Sequence, residues 1–261
     1  MDPKEFWRRD VKKLVLQGYD PSLAFLRLLL DNIGTDKKLG ELRNDDLRDF
    51  GRRLSSDFYP GLSDLFRDLR KRVGKFVGID IKFYVVSGGL QEVIEGSDIN
   101  SHHFSSIYGS QLTGDTDDGV LKYIKRCITF TEKTRFLFEI NKGIKPARTR
   151  RNPYLVNKAV KPDKRPVPFR NMIYVGDGYT DIPCFSLVEK GAGEEGGMSF
   201  GVFDPARRQS AKWALTQLLK ARKIPTYEPK YHRTDALGSI IRTQVAETCA
   251  RIRLERRKAT V

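Results

Sequence analysis

Two aspartates, Asp177 and Asp181, stand where a strand is predicted to meet a helix. The apolar run Met172–Val175 ends in Gly-Asp-Gly, and Pro183 fits the first turn of a helix that begins near Thr180. Open α/β folds bind ligands at the carboxyl ends of parallel strands, so this turn is a candidate site. Two interpretations remain open. The two carboxylates hold a hard cation such as Mg²⁺, or Asp181 caps the helix of a plain connection.

A second candidate is the small-residue sequence Ser87-Gly88-Gly89. It follows a predicted strand over residues 79–86 and precedes a predicted helix over residues 90–95. The Ser87 hydroxyl and the free N–H groups at a helix N-terminus suit an anion. The sequence Ser-Gly-Gly is also common in plain turns, so it does not identify a phosphate site by itself.

Lys133 is the third candidate, in the first turn of a helix predicted over residues 131–141. A cation at this end of a helix opposes the helix dipole. A bound anion would explain the position, and an exposed surface lysine is the alternative.

Basic residues are concentrated in two segments. Residues 142–170 hold ten lysines and arginines against one acid, Asp163, and residues 205–261 hold fourteen against four. This charge favours an anionic partner such as a phosphorylated substrate or a nucleic acid, or it is a solvated face. Few aromatic residues lie among these charges, which weakens a base-stacking model. They are Tyr154, Phe169, Tyr227 and Tyr231.

Composition excludes several classes of protein. Three cysteines without Cys-x-x-Cys spacing argue against a disulfide framework and a structural zinc site. Charges among the first thirteen residues argue against a secretory signal, and no apolar run is long enough to span a membrane. We therefore expect a cytoplasmic protein that does not bind a membrane.

The remaining elements follow from hydrophobic periodicity and turn residues. Residues 1–57 are predicted to be helical, and the acidic stretch 115–119 is predicted to be a solvated hairpin turn. The other predictions are a helix at 62–73, strands at 104–112, 120–130 and 199–203, a loop at 144–170 and helices at 206–221 and 235–258.

In this order, the motifs resemble those of the haloacid dehalogenase (HAD) superfamily of phosphohydrolases, in its phosphoserine phosphatase-like branch with a helical cap. The matching sequences are FYVVSGG with Ser87, KTRFLFEINKG with Lys133, and VGDGYTD with Asp177 and Asp181. A fourth, FYPGLSDLFRDLRKRV, resembles the helix that in this family leads the chain from the cap back into the core. The resemblance implies a Rossmann-like α/β core at residues 58–261, in which helices flank a parallel sheet. It also implies an all-helical cap at residues 1–57. The basic insert 144–170 and the basic last helix would belong to the core.

The resemblance also implies functional roles. Ser87, Gly88 and Lys133 would bind the phosphoryl group of a small phosphorylated substrate, and Asp177 and Asp181 would bind Mg²⁺.

One family motif has no convincing copy in the sequence. Ile79–Lys82 does not fit the nucleophile motif Asp-x-Asp-x-Thr/Val, and Asp115–Asp117 falls in a turn after Ser87. We therefore expect that the first core strand is missing, that the chain is truncated or inactive, and that Mg²⁺ binding is weak. The alternative is a non-catalytic HAD-fold protein whose basic insert and tail bind a polyanion such as nucleic acid.

Overall fold

A computed structural model describes residues 5–54, 58–99 and 103–259, which form two compact units. Unit 1 comprises residues 1–57 and 83–136, and unit 2 comprises residues 58–82 and 137–261. Each unit contains a three-stranded sheet with at least one parallel strand pair, together with helices. The mixed α/β class is therefore confirmed. The cap-and-core boundary after residue 57 stays a prediction.

Apart from a short helix at Pro146–Arg151, the helices follow the predicted order along the chain. They are α1 (Lys12–Leu16, after a π-helical turn Phe6–Val11), α2 (Pro21–Asp31), α3 (Asn44–Arg53), α4 (Leu62–Val73), α5 (Gln91–Gly96), α6 (Glu132–Asn141), α7 (Pro146–Arg151), α8 (Ile182–Lys190), α9 (Arg208–Trp213, continued by a π-helix Ala214–Lys220) and α10 (Ala236–Lys258). Within the described ranges, no helix has both the length and the apolar character needed to cross a bilayer.

The strands are short, and several of their predicted boundaries are wrong, including the end predicted at Phe130, where the observed strand stops at Arg126. They are β1 (Phe83–Leu90), β2 (Phe104–Gly114), β3 (Leu121–Arg126), β4 (Ile173–Gly176), β5 (Met198–Val202) and β6 (Thr226–Tyr227). β1 starts at Phe83, and not at the predicted Ile79. It continues through Ser87 to Leu90, since Leu90 still pairs with β2 beyond an irregularity after Val86. β6 was not predicted, since two residues carry no recognisable alternation.

In unit 1, β1 pairs parallel with β2, and β2 pairs antiparallel with β3 in the predicted hairpin. The acidic turn is neutralised locally, since Lys122 Nζ lies 2.9 Å from Asp115 Oδ2 and 3.0 Å from Asp118 Oδ2. The N-terminal helices pack their apolar faces on this hairpin. The buried cluster consists of Leu26, Ile33, Leu47, Leu112, Val120 and Leu121.

Two glycines allow α3 and α5 to touch backbone to backbone. A Cβ atom at Gly51 would lie 2.0 Å from the Val93 carbonyl oxygen, and one at Gly96 would lie 2.0 Å from the Arg48 carbonyl oxygen. No side chain fits at either position, so this crossing requires glycine on both helices.

Unit 2 contains a fully parallel sheet in the order β4-β5-β6. Side chains of α8 and of the π-helix after α9 fill its core, with Phe185 and Leu218 both 0% exposed. Contrary to the predicted loop, the basic insert contains α7 and several 3₁₀ turns. Its last turn buries Phe169 against Phe138, with ring centroids 5.6 Å apart.

A buried ion pair joins α4 to α10 within unit 2. Arg242, whose side chain is 7% exposed, donates to Asp68 at 3.1 Å and to the Tyr231 carbonyl at 2.9 Å. The exposed Arg233 also donates to Asp68, at 2.7 and 2.9 Å. Hydrogen bonds from Arg233 and Arg242 hold the pKa of the Asp68 carboxyl well below its usual value.

We expect Gly51→Ala to destabilise the protein by about 2 kcal/mol, although alanine alone favours a helix by about 1 kcal/mol over glycine. The net change in the free energy of unfolding is unfavourable because the added methyl group overlaps the Val93 carbonyl. The measurement is urea unfolding followed by circular dichroism. Arg52→Ala, at an exposed position on the same helix, is the control. Equal stability of both variants would contradict the close crossing.

We expect Asp68→Asn to destabilise the protein by about 3 kcal/mol, because it leaves the buried guanidinium of Arg242 without a counter-charge. Asp64→Asn on the same helix removes only an exposed pair with Arg67 and should cost less than about 1 kcal/mol. A similar loss of stability in the two variants would contradict the claim that the buried Asp68–Arg242 pair stabilises the protein more than the exposed Asp64–Arg67 pair does.

The same pair predicts a pH dependence. Since the folded-state pKa of Asp68 is depressed, its contribution is fully present above the unfolded-state pKa of about 3.9. It is lost as the pH falls further. Urea unfolding between about pH 5 and pH 3 should therefore show a steeper decline in the wild type than in Asp68→Asn.

Candidate functional site

The turn after β4 is organised by the carboxylate of Asp181. Its Oδ2 atom accepts hydrogen bonds from the backbone N–H groups of Asp177 at 3.1 Å and Gly178 at 3.0 Å. Its Oδ1 atom accepts a hydrogen bond from the Tyr174 hydroxyl at 2.7 Å. Asp181 is 4% exposed, so these three donors replace the water that the charge has lost.

Tyr174 is suited to this role because its phenol stays protonated. Burial raises the pKa of Tyr174 well above its usual value, and the neighbouring Asp181 carboxylate raises it further. A protonated phenol remains a hydrogen-bond donor to the carboxylate over the whole physiological pH range.

The two glycines of the Gly-Asp-Gly sequence have different roles. A Cβ atom at Gly176 would lie 2.7 Å from Asp181 Cγ, so only glycine leaves room for the buried carboxylate. A Cβ atom at Gly178 would meet nothing closer than 3.6 Å, and the φ angle there is −128°. Of the two glycines, only Gly176 is therefore required for steric reasons.

Asp177, in contrast to Asp181, is exposed and lines a cavity of about 120 Å³ in unit 2. The cavity lies at the carboxyl ends of β4 and β5, the edge at which parallel sheets bind ligands. Its other lining residues are Tyr59, Val202, Phe203, Asp204, Arg207, Ser210 and Pro229.

The cavity combines negative and positive groups. Partial burial raises the pKa of the Tyr59 phenol, and the carboxylates of Asp177 and Asp204 raise it further. Asp204 is already engaged, since its Oδ1 accepts the Ala206 N–H at 2.9 Å and its Oδ2 lies 3.1 Å from Arg207 Nε. Asp204 and Arg207 thus partly neutralise each other at the wall of the cavity.

The predicted pair Asp177 and Asp181 is brought together in one loop, but the two carboxylates differ as metal ligands. A carboxylate has about four lone-pair positions, and Asp181 uses three of them on protein donors. Within the described ranges, no group of three or more His, Cys, Asp or Glu side chains is placed to hold a metal ion. The residues fit a Mg²⁺ ion that is ligated by Asp177 and keeps most of its waters.

The predicted phosphate-binding residues lie in unit 1. The Ser87 hydroxyl accepts the Gly89 N–H at 3.0 Å, and the Gly88 carbonyl accepts the hydroxyl of the fully buried Ser110 at 2.8 Å. Hydrogen bonds at the Gly88 carbonyl and at the Gly89 N–H thus fix the Ser87–Gly89 backbone. The helix that follows it, α5, has only six residues.

Lys133 is 6% exposed at the start of α6, so the surface-lysine alternative is wrong. A buried ammonium group needs nearby polar or charged partners, because desolvation of an isolated charge is costly. Burial at the unfavourable end of a helix dipole is consistent with a functional lysine.

Sequence reasoning missed Asp204, Arg207 and Tyr59. Asp204 follows the apolar strand β5 as Asp177 follows β4, so the rule that identified Asp177 could also have identified Asp204. Tyr59 precedes Pro60-Gly61 and carries no local signal of its place at the cavity.

We expect Gly176→Ala to lower the free energy of unfolding by about 2 kcal/mol, because the methyl group displaces the Asp181 carboxylate. Gly178→Ala, two residues away, should change it by less than about 0.5 kcal/mol. Urea unfolding of the two variants measures the difference. Equal effects would mean that the carboxylate does not occupy the space beside Gly176.

Comparisons with known proteins add one relative. An uncharacterized protein of Borreliella burgdorferi is 28% identical over 162 residues, which cover 56% of this chain and 53% of that protein. The chain thus spans about half the length of this curated relative. No protein-family model matches the chain, and no solved structure matches it.

Proposed function

We propose that this chain is a HAD-type phosphohydrolase scaffold for a phosphomonoester, in which Asp177 ligates Mg²⁺. The exposed carboxylate of Asp177 carries the proposal. It lies beside a cavity at the carboxyl end of a parallel strand, in a loop whose shape is fixed by the buried Asp181. A Rossmann-like core and a helical cap at residues 1–57 are parts of the same proposal.

Unit 1 supplies the groups that suit a phosphoryl anion. Ser87 has a hydroxyl on a fixed backbone, and Lys133 supplies a positive charge away from bulk water. In a low-dielectric setting such a cation interacts more strongly with a phosphate than it would on the surface. In the proposed mechanism, Ser87 and Lys133 bind and orient the phosphoryl oxygens.

In unit 2, Asp181 acts through the loop rather than on the substrate. By accepting the Asp177 and Gly178 N–H groups, it fixes the backbone that carries the Asp177 carboxylate. Mg²⁺, when bound by Asp177, would supply positive charge at this edge of the unit 2 sheet.

No residue of this chain is assigned as the nucleophile, because the Asp-x-Asp-x-Thr/Val motif has no convincing copy in these 261 residues. The aspartyl-phosphate step of the family therefore has no source in the residues described here. We propose binding of metal and phosphate to this scaffold, and we do not assign turnover to it.

We expect Mg²⁺ to stabilise the wild-type protein by about 1.4 kcal/mol at a tenfold excess over its dissociation constant. That constant should be about 1 mM, since a single carboxylate with water ligands binds the ion weakly. Thermal unfolding over a MgCl₂ titration at constant ionic strength measures the effect. Asp177→Asn should abolish it.

Asp163→Asn is the matched control, because it removes one exposed carboxylate of unit 2 from the basic insert. Its response to Mg²⁺ should equal that of the wild type. A Mg²⁺ response that survives in Asp177→Asn would overturn the proposed metal ligand.

A further inference from the structure

The basic insert exposes cations that the fold itself does not use. Lys145, Arg148, Arg150, Arg151, Lys158 and Lys161 are all exposed. Their side chains form no hydrogen bond or ion pair with the described residues. We propose that these six cations, together with Tyr154, form a nucleic-acid-binding surface, which we call the insert surface.

The two ends of the insert show the opposite pattern. Lys142 donates to the carbonyl oxygens of Val156 at 2.5 Å and Lys158 at 2.9 Å. Arg165 pairs with Glu194, and Arg170 lies 3.0 Å from Glu255. The cations at the ends therefore hold the segment on unit 2, while those between them remain available to a ligand.

Some cations of the basic tail are used by the fold. Arg251 donates to the Arg170 carbonyl at 2.9 Å, and Arg256 donates to the Gly78 carbonyl at 3.0 Å. These arginines hold α10 in place. The side chains of Arg253, Arg257 and Lys258, near the end of α10, are exposed and form no hydrogen bond or ion pair with the described residues. α10 contains no aromatic residue, however, whereas the insert surface includes the exposed Tyr154, so the insert is the better candidate for binding an unpaired base.

The chemistry of the insert surface favours nucleic acid over other polyanions. Three of its six cations are arginines within α7, and a planar guanidinium matches a phosphate with two hydrogen bonds. Arg148 and Arg151 are three residues apart, so they project from neighbouring positions on the helix. Such a pair can contact successive phosphates of one strand.

Tyr154 adds a base-stacking group. Its side chain is 76% exposed, whereas Phe169 is 0% and Tyr231 is 7% exposed. Among the described residues of the insert, Tyr154 is also the one large hydrophobic side chain that is exposed. This arrangement suits an unpaired base and offers no apolar face for insertion into a bilayer.

The test is fluorescence anisotropy with labelled oligomers of about twenty nucleotides, as single-stranded RNA, single-stranded DNA and duplex DNA. Between about 50 and 200 mM NaCl, six contacts to a single strand predict a slope of log K against log salt of about −4. The triple variant Arg148→Gln, Arg150→Gln, Arg151→Gln should make this slope shallower by about 2.

Lys71→Gln, Arg72→Gln, Lys75→Gln is the matched control, since it removes three exposed cations at the end of α4. It should leave the slope unchanged. Equal slopes for the two triple variants, or no binding at about 50 mM NaCl, would overturn the proposal. Thermal unfolding confirms that each variant is folded.

Two further measurements identify the ligand. Tyr154→Ala should weaken single-strand binding about tenfold and leave duplex binding unchanged, because a paired base cannot stack on the ring. Poly-glutamate at equal charge concentration should displace the oligomers poorly. Equally effective displacement would show a general affinity for polyanions and would refute a nucleic-acid surface.

Discussion

The turn between β4 and α8, which carries the candidate site, depends on one buried charge, the carboxylate of Asp181. Three protein donors surround it, and the absence of a side chain at Gly176 makes space for it. The next residues begin α8, whose Cys184 and Phe185 are 0% exposed. The strand, the turn and the start of the helix are thus connected through one carboxylate. Removing that carboxylate would remove all three of these hydrogen bonds together. Asp181 thus fixes the backbone of the exposed Asp177 without having to contact a ligand itself.

The structure gives the two residues of the Asp177 and Asp181 pair different surroundings, while the metal interpretation stays a prediction. Asp181 stabilises the local turn, as a capping residue would, and Asp177 faces the cavity. Spacing alone could not separate these roles, because both residues are aspartates on one short loop. The difference comes from Tyr174, whose hydroxyl reaches Asp181 from within the strand. Alternation of apolar residues identifies a strand and cannot predict which tyrosine turns its hydroxyl toward the site.

Local signals predicted the long elements well. α10 begins one residue after the predicted start at Asp235, and α6 begins one residue after its predicted start at Thr131. The misses depend on tertiary contacts. The crossing of α3 on α5 needs Gly51 beside a carbonyl about forty residues away in the chain. The burial of Lys133 is likewise set by packing, since its position in a first turn is compatible with either exposure or burial.

The anchored ends of the basic insert have a consequence for how its sequence can change. Hydrogen bonds of Asn141 and Lys142 and the ion pair of Arg165 with Glu194 anchor the segment on the rest of unit 2, so the entropy cost of closing this loop is met when the protein folds. Substitutions or small changes of length between these anchoring residues would change the proposed insert surface with little effect on the sheet. The residues of the insert between its anchored ends can therefore vary in sequence more freely than the residues that hold it on unit 2.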